Sequence, residues 1–380
     1  MPLPFLHILL ICFFLLILYV YFGYPALLWI LTRHPHDPAA LPDGELPTIS
    51  LIITVHNEIE VIDQKLRNTE ALDYPRDRLE IVVASDGSDD GTDEVVMQYA
   101  DQGIHLHRLQ GRRGKMPTLM SAAATASGNI LVFSDANAMY EPDALLRLVE
   151  PFRDERIGCV CGKLLYTNLS DTSISEGERL YWDYENRLKV WESRFNSLIG
   201  ANGSIYAIRR AAYTPLDPDL SDDYGFPLAA YAGGYRVVYQ PSAVSREEAP
   251  VSVFTEFRKK SRFVSHQLTT MARLWPRLKP LRDPRLLFQI VSHKLLRNMV
   301  PFFLVGILAL SFQMNESVSS ILLWGQAVFY GLAVCGLIIY RFGMSFRLVT
   351  IPLYFCTVNA AAAVGVFQFL WKRNYASWND

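Results

Sequence analysis

A carboxylate and an amide two residues apart, Asp135 and Asn137, close the stretch Ile-Leu-Val-Phe-Ser-Asp-Ala-Asn at 130–137. Its four leading apolar residues fit a strand buried on both faces. In an extended segment, residues i and i+2 point to the same side. Asp135 and Asn137 can then present two oxygens to one point in space. Two oxygens with open positions left over suit a hard divalent cation that phosphates also hold. A strand that merely ends in a turn would read the same way, because Asp and Asn favour turns.

Further groups sit at comparable places. Asn57 and Glu58 follow the apolar Thr48–Val55, and Asp86 opens a loop after Leu79–Ala84. Lys115 ends the basic glycine loop Gly111–Gly114, and Asp222 and Asp223 stand just before the helix candidate Tyr224–Ala232. Arg262 lies in the basic run Lys259-Lys260-Ser261-Arg262-Phe263. Each has an ordinary explanation as well. Asp86 can shape an Asx turn, Asp223 can cap a helix, Lys115 can be a solvated surface charge, and Arg262 can be one more basic residue of an interfacial helix.

The elements between these residues alternate. Thr48–Val55, Leu79–Ala84, Ile104–Leu109 and Ile130–Phe133 read as strands, with helical spacing in Val61–Thr69, Asp93–Ala100 and Pro117–Ala126. That alternation predicts a mostly parallel sheet covered on both faces, an α/β fold. Ligands of such sheets bind outside the carboxyl ends of the strands. Asn57, Asp86 and Asp135 are each expected at such an end, converging on one crevice. Downstream, Asp143–Phe152 reads as a helix, Ile157–Leu165 as a strand and Ser175–Phe195 as a long amphipathic helix. Gly200–Ser204 is a turn, and Tyr235–Tyr239 reads as a last strand closed by Pro241.

The 380-residue chain is 51% hydrophobic, unevenly so, and its formal net charge of −2 gives no nucleic-acid signal. Phe5–Leu31 carries no Asp, Glu, Lys or Arg. It exceeds the roughly 20 residues needed to cross a bilayer and lacks a cleavage site, so residues 1–34 read as a retained anchor. Arg33 and His34 beyond it would leave the next domain in the cytoplasm. In Phe254–Trp275, the residues Phe254, Phe257, Val264, Leu268, Met271 and Trp275 form one helical stripe among basic neighbours. Such a helix can lie in a membrane interface or face a core, and residues 251–285 are expected at the interface. Apolar segments near Met299–Phe312, Val318–Tyr340 and Leu348–Trp371 make residues 286–380 a set of transmembrane helices; the first is short unless it begins near Leu286. Asn315, Glu316, Arg341 and Arg347 obey the positive-inside rule, whereas Lys372 and Arg373 do not. Of the five cysteines, Cys12, Cys335 and Cys356 lie in apolar ends, and Cys159 and Cys161 read as alternating positions of a strand.

Together these pieces resemble the family 2 glycosyltransferases. The matching runs are Thr54–Glu58, Ala84–Thr92, Gly114-Lys115, Ser134–Asn137, Ser221–Asp223 and Lys259–Phe263. The membrane arrangement is similar to that of cellulose-, hyaluronan- and poly-N-acetylglucosamine-synthase-type enzymes. The resemblance implies a GT-A nucleotide-diphospho-sugar transferase fold over residues 47–250, cytoplasmic, at an inner membrane crossed several times. It implies a divalent cation, Mg²⁺ or Mn²⁺, at Asp135 and Asn137, where Asn137 stands in place of a second Asp. It implies that Asp86 binds base and ribose with Asn57 and Glu58, that Asp223 is the catalytic base with Asp222 in support, and that Lys115 and Arg262 meet the donor. Of the Gln-X-X-Arg-Trp motif of polymerising members only Arg262 is retained. The implied function is transfer of a sugar from a nucleotide-diphosphate sugar to a lipid-linked or polysaccharide acceptor, with inversion, among membrane lipids. A catalytically inactive membrane scaffold and a cation-dependent nucleotidyltransferase are the competing readings.

Overall fold

One eight-stranded sheet organises residues 49–247. In chain order the strands are β1 Ile49–Val55, β2 Leu79–Ser85, β3 Ile104–Arg108, β4 Ile130–Asp135, β5 Met139–Tyr140, β6 Ile157–Tyr166, β7 Tyr206–Arg209 and β8 Arg236–Glu247. They lie in the order β3-β2-β1-β4-β7-β6-β8-β5. The first four are parallel, β7 is antiparallel to both its neighbours, β6 and β8 are parallel, and β5 is antiparallel to β8. The structure is a computed structural model and describes residues 3–33, 45–167, 175–248, 252–279, 282–314, 317–342, 344 and 346–371. Residues 34–44, together with Asn315, Glu316, Lys372 and Arg373, lie outside the described residues.

The helices are α1 Leu3–Leu18, α2 Tyr24–Thr32, α3 Ile62–Glu70, α4 Thr92–Met97, α5 Lys115–Thr125, α6 Ala144–Val149, α7 Ser175–Phe195, α8 Asp222–Ala232, α9 Val253–Leu278, α10 Pro284–Gln289, α11 Leu296–Gln313, α12 Ser317–Arg341 and α13 Arg347–Leu370. Every residue of β1 is buried, and alternate residues serve different layers. Leu51, Ile53 and Val55 pack with Ile62 and Leu66 of α3. Ile52, with Leu131 and Phe133 of β4, packs with Leu119 and Ala122 of α5 and with Phe226 of α8. Cys159 and Cys161 share this second layer, as alternating strand positions require. The sheet is the mixed, mostly parallel sheet of the GT-A fold.

Strand β8 departs from the sequence reading. Pro241 does not close it: the strand runs on to Glu247. Pairing passes from Cys161–Tyr239 to Lys163–Val244, a bulge that takes up the proline, which cannot donate to a regular ladder. The extension carries Glu247 to the same sheet end as Asp135.

Four helices are long and apolar enough to cross a membrane: Phe5–Thr32, Pro284–Gln313, Ser317–Arg341 and Arg347–Leu370. The second does begin before Leu286. Two of them contain a π-helical turn, Tyr19–Gly23 and Ile290–Leu295, and the turns touch through the Tyr19 hydroxyl and Ser292 Oγ, 2.8 Å apart. α9 lies between sheet domain and apolar helices. Its Val264, Leu268 and Met271 are buried in one cluster with Phe226 and with Ala362 and Val366 of α13. The middle of the stripe therefore faces protein on both sides; Phe254, at its start, is exposed. About 61% of the most apolar stretch of α13 is buried in the protein, against 11% for α12, so α13 is the helix that joins the two halves.

Candidate functional site

The parallel register delivers the candidate residues together. Val55 pairs with Ser85 and Thr54 with Asp135, so the chain leaves β1, β2 and β4 at one level. Past β1, Asn57 adopts a positive φ of 56°, which Asn tolerates better than most residues. Its side-chain amide donates to Asp89 Oδ1 at 2.9 Å, and the Asp89 backbone N–H donates to Asn57 Oδ1 at 3.0 Å. The Glu58 N–H donates to Thr92 Oγ1 at 2.9 Å. These bonds lace the first two strand-end loops together.

Asp86 is buried, and its carboxylate accepts three bonds: from the N–H of Arg113 at 2.6 Å, the N–H of Gly114 at 2.8 Å and the hydroxyl of Thr118 at 3.0 Å. It anchors the basic glycine loop and the start of α5. Gly87 is needed for this approach: a Cβ there would lie 2.8 Å from the backbone of Gly111. The anchored loop starts α5 at Lys115, two residues earlier than the sequence reading placed it, and points the lysine into the crevice.

Lys115 Nζ lies 2.7 Å from Asp135 Oδ1 and 3.4 Å from Asp222 Oδ2, joining β4 to α8. Burial alone would depress the ammonium; the carboxylates of Asp135, Asp222 and Asp223 outweigh it and hold it above its ordinary value. Burial likewise works to raise Asp135, and Lys115, with Lys259 and Lys65 behind it, prevails and keeps it low. Ser221 precedes α8, so Asp222 and Asp223 are its first two helical residues, where the helix dipole favours carboxylates. Asp222 also accepts from the Tyr206 hydroxyl at 3.0 Å. Asp223 accepts from the Ser221 hydroxyl. Burial and the repulsion of Asp222 push its carboxyl up to about 6 from an ordinary 3.8.

The pairing argument for Asn137 does not hold in three dimensions. The strand stops at Asp135, the N–H of Ala138 bonds back to the Asp135 carbonyl at 3.3 Å, and the chain turns. Asn137 is exposed in that turn. The turn is braced from beneath by Lys65 of α3, which is fully buried: its ammonium donates to Ser134 Oγ at 2.8 Å and to the Ala138 carbonyl. Sequence reasoning missed Lys65. The available signal was its spacing, since Ile62, Leu66 and Thr69 on the same side of α3 are all buried. Glu247, at the end of the bulged β8, is also buried; burial and Asp135 push it up to about 7. Glu58 rises to about 7 through burial and through Asp135 and Asp90.

Lys115, Asp135, Asp222, Asp223, Arg262 and Glu247 line a single cavity of about 530 Å³. Asn57, Glu58, Asp86 and Asn137 lie outside its lining. A more open hollow of about 900 Å³ sits at the amino ends of β1 and β4, near Leu46 and Ile130, and contains none of these groups. Gly203 leaves the cavity open above Asp135, because a Cβ there would meet Asp135 Oδ2 at 3.2 Å. Among the described residues, no three His, Cys, Asp or Glu side chains are placed to hold a metal ion by themselves. The surroundings fit a cation nonetheless: Glu58, Glu247 and Asp223 are all pushed upward, in part by the Asp135 charge, a field that a divalent ion would relieve. Such an ion would take most of its oxygens from a diphosphate and water.

Comparison with known proteins agrees with this architecture. Residues 50–214 match the model of the glycosyl transferase family 2. The chain is 27% identical over 259 residues to the probable glycosyltransferase YdaM of Bacillus subtilis, covering 65% of this chain and 61% of that one. It is 27% identical over 210 residues to the poly-beta-1,6-N-acetyl-D-glucosamine synthase of Staphylococcus aureus, covering 53% and 50%. Its fold matches that of a mannosyltransferase from Pyrobaculum calidifontis, solved in complex with GDP-Man and Mn²⁺. The TM-score is 0.74 at 24% identity, covering 97% of this chain and 99% of that one. Residues 50–214, which include Asp135 and Lys115, thus form a glycosyl transferase family 2 domain, and the fold of the chain is GT-A.

Proposed function

We propose that this chain is a membrane-bound, inverting glycosyltransferase. It moves a sugar from a nucleotide-diphosphate sugar to a lipid-linked or polysaccharide acceptor in the synthesis of a surface polysaccharide or glycolipid. The observation that carries the reading is the convergence of Asp135, Lys115, Asp222 and Asp223 in one cavity between the sheet end and the apolar helices. Asp223, held protonatable near pH 6, is suited to accept the proton of an acceptor hydroxyl. As that oxygen bonds to the anomeric carbon from one side, the bond to the diphosphate breaks on the other. The electron pair leaves with the diphosphate, and the proton stays on Asp223.

Asp222, fixed by Tyr206 and Lys115, keeps the start of α8 in place beside the base. Arg113, Lys259 and Arg262 supply fixed positive charge along the cavity wall. Asn57, Glu58 and Asp86 form the rim proposed for base and ribose, with Asp86 acting also through the loop it anchors. Mg²⁺ or Mn²⁺ fits at Asp135, with Asn137 at the edge, and would offset the charge of the leaving diphosphate. The Mn²⁺ of the Pyrobaculum complex supports that choice. The proposed units are an N-terminal anchor (1–34), a cytoplasmic catalytic domain (47–250), the α9 region (251–285) and the C-terminal spans (286–380), in a bacterial-type inner membrane. Radiolabelled transfer from a panel of nucleotide sugars into a membrane fraction tests the reading. Incorporation above an empty-vector membrane is expected from at least one donor; none from any donor would favour an inactive scaffold.

A further inference from the structure

The upper part of the same cavity differs chemically from the sheet end. It is walled by α7, by the π-helical turn Ile290–Leu295 and by residues of the apolar helices, including Tyr21, Val358 and Ala362. Single π turns inside helices often mark functional positions. This one projects His293 and Lys294 to the cavity, with Arg297 one turn on. Arg297 is paired with Glu185. His293 Nδ1 lies 2.8 Å from Glu192 Oε1, which also accepts from the Tyr24 hydroxyl at 2.5 Å. Both carboxylates of this region thus have close partners already.

Two cations remain. Lys294 lies over the Tyr224 ring at 5.9 Å and Lys189 donates to the neutral Asn202 Oδ1 at 2.5 Å. Among the described residues, neither lysine has a carboxylate oxygen within 4 Å of its ammonium. Three basic side chains, Lys189, Lys294 and Arg297, therefore line the cavity with two carboxylates, Glu185 and Glu192. Such an excess favours an anion held by charge-assisted hydrogen bonds. Tyr224 follows Asp223 in sequence, and Lys294, Tyr224 and Asp223 line the same cavity. Val358 and Ala362 supply apolar wall beside the charges, which suits an occupant with an acyl or prenyl tail.

We propose that this upper part is a subsite for the phosphate of an anionic lipid headgroup, held by Lys294 with Lys189, which brings a lipid-borne acceptor hydroxyl to Asp223. The proposal rests on the sugar-transfer reading for its consequence but not for its test, which measures lipid retention and needs no turnover.

The full-length protein is reconstituted in phosphatidylcholine nanodiscs with and without phosphatidic acid, and bound lipid is read by native mass spectrometry. Wild type is expected to retain phosphatidic acid over phosphatidylcholine. Lys294→Met is expected to weaken that preference by about tenfold, the worth of one hydrogen bond between charged groups, while Lys294→Arg keeps most of it. Binding of GDP and UDP reports that each variant is folded. Equal retention of the two lipids by the wild type overturns the proposal whatever the variants do. So does an undiminished preference in Lys294→Met. Added inorganic phosphate that displaces nothing supports the lipid; phosphate that binds with no preference among lipids assigns the charges to a free ion and overturns the lipid assignment. A membrane with no sugar transfer but intact phosphatidic acid selectivity would instead count against the sugar-transfer reading alone.

Discussion

The two ends of the cavity differ in how their charges are arranged, and the helix end is the more buried: His293 and Glu192 are 4% and 3% exposed, against 21% and 33% for Lys115 and Asp135. At the sheet end, Asp135, Asp222, Asp223 and Glu247 gather in the cavity; Lys115 bridges two of them, and Arg113, Lys259 and Arg262 line the same wall. At the helix end, Lys189, Lys294 and Arg297 outnumber Glu185 and Glu192. Burying like charges together is costly unless a partner of opposite sign completes the site. On the proposed reading, the sheet end takes a divalent cation together with the diphosphate of the donor, and the helix end takes an anion. A nucleotide sugar with its metal ion answers the first, and an anionic acceptor answers the second. On that reading the chemistry is proposed at Asp223, which lines the same cavity.

The largest expected effect is at that residue. Asp223→Asn keeps the size of the side chain and its ability to hydrogen-bond, so the variant should fold and bind nucleotide. Its transfer rate should fall by about 10²–10⁴-fold, the contribution of a general base. Turnover within a few-fold of wild type would remove Asp223 as the base and turn attention to Glu247, buried in the same cavity. Asp222→Asn should be milder.

Next in size is the loss of the bridging cation. Lys115→Met leaves Asp135 and Asp222 facing each other without it. Breaking a fully buried ion pair from one side costs about 3–5 kcal/mol; Lys115 and Asp135 are partly exposed, so thermal unfolding in detergent should shift downward by less than that figure implies. Adding Asp135→Asn should recover part of the loss. A melting temperature unchanged in Lys115→Met would mean that the sheet end is not charge-limited.

Proton release should reveal the same crowding more gently. Asp223 keeps its proton to about pH 6, and Glu58 and Glu247 keep theirs to about 7. The unfolded chain loses these protons near pH 4. Between those limits the folded chain binds more protons than the unfolded one, so stability should fall as pH rises through that window. The rate should do the opposite, rising through about pH 6 as Asp223 ionises, and Asp223→Asn should lose that limb. A melting temperature that climbs over the same window would contradict the assignment. The smallest effect is at the rim, where Asn137→Asp should raise Mn²⁺ affinity a few-fold through one added carboxylate. A loss of affinity would show that residue 137 does not face the ion.

Much of this was legible from local pattern. The strands before Asn57, Asp86 and Asp135 are short, largely apolar runs, and a parallel sheet puts their carboxyl ends on one side. What escaped depends on three-dimensional closure. The argument that Asn137 shares a strand face with Asp135 needs an extended chain, and a turn held from below by Lys65 stands there instead, leaving Asn137 exposed at the rim. Lys65 itself looks like an ordinary helix-surface lysine until the sheet closes over it. Glu247 was hidden behind Pro241, which reads as a strand end and is a bulge instead. The stripe of α9 reads equally as lipid-facing or core-facing, and only its packing against Phe226 and Ala362 decides between them. The helix-end charges lay in plain sight at His293, Lys294 and Arg297, but their pairing with α7 joins segments about a hundred residues apart.

The central claim, that the sheet end is completed by a cation and a diphosphate together, is tested most directly by calorimetric titration of GDP and UDP into folded protein with and without Mn²⁺. Wild type should bind at least one of them more tightly with the metal, and Asp135→Ala should lose that metal dependence while remaining folded. Nucleotide affinity that is the same with and without Mn²⁺, or metal-dependent binding that survives in Asp135→Ala, would contradict the account.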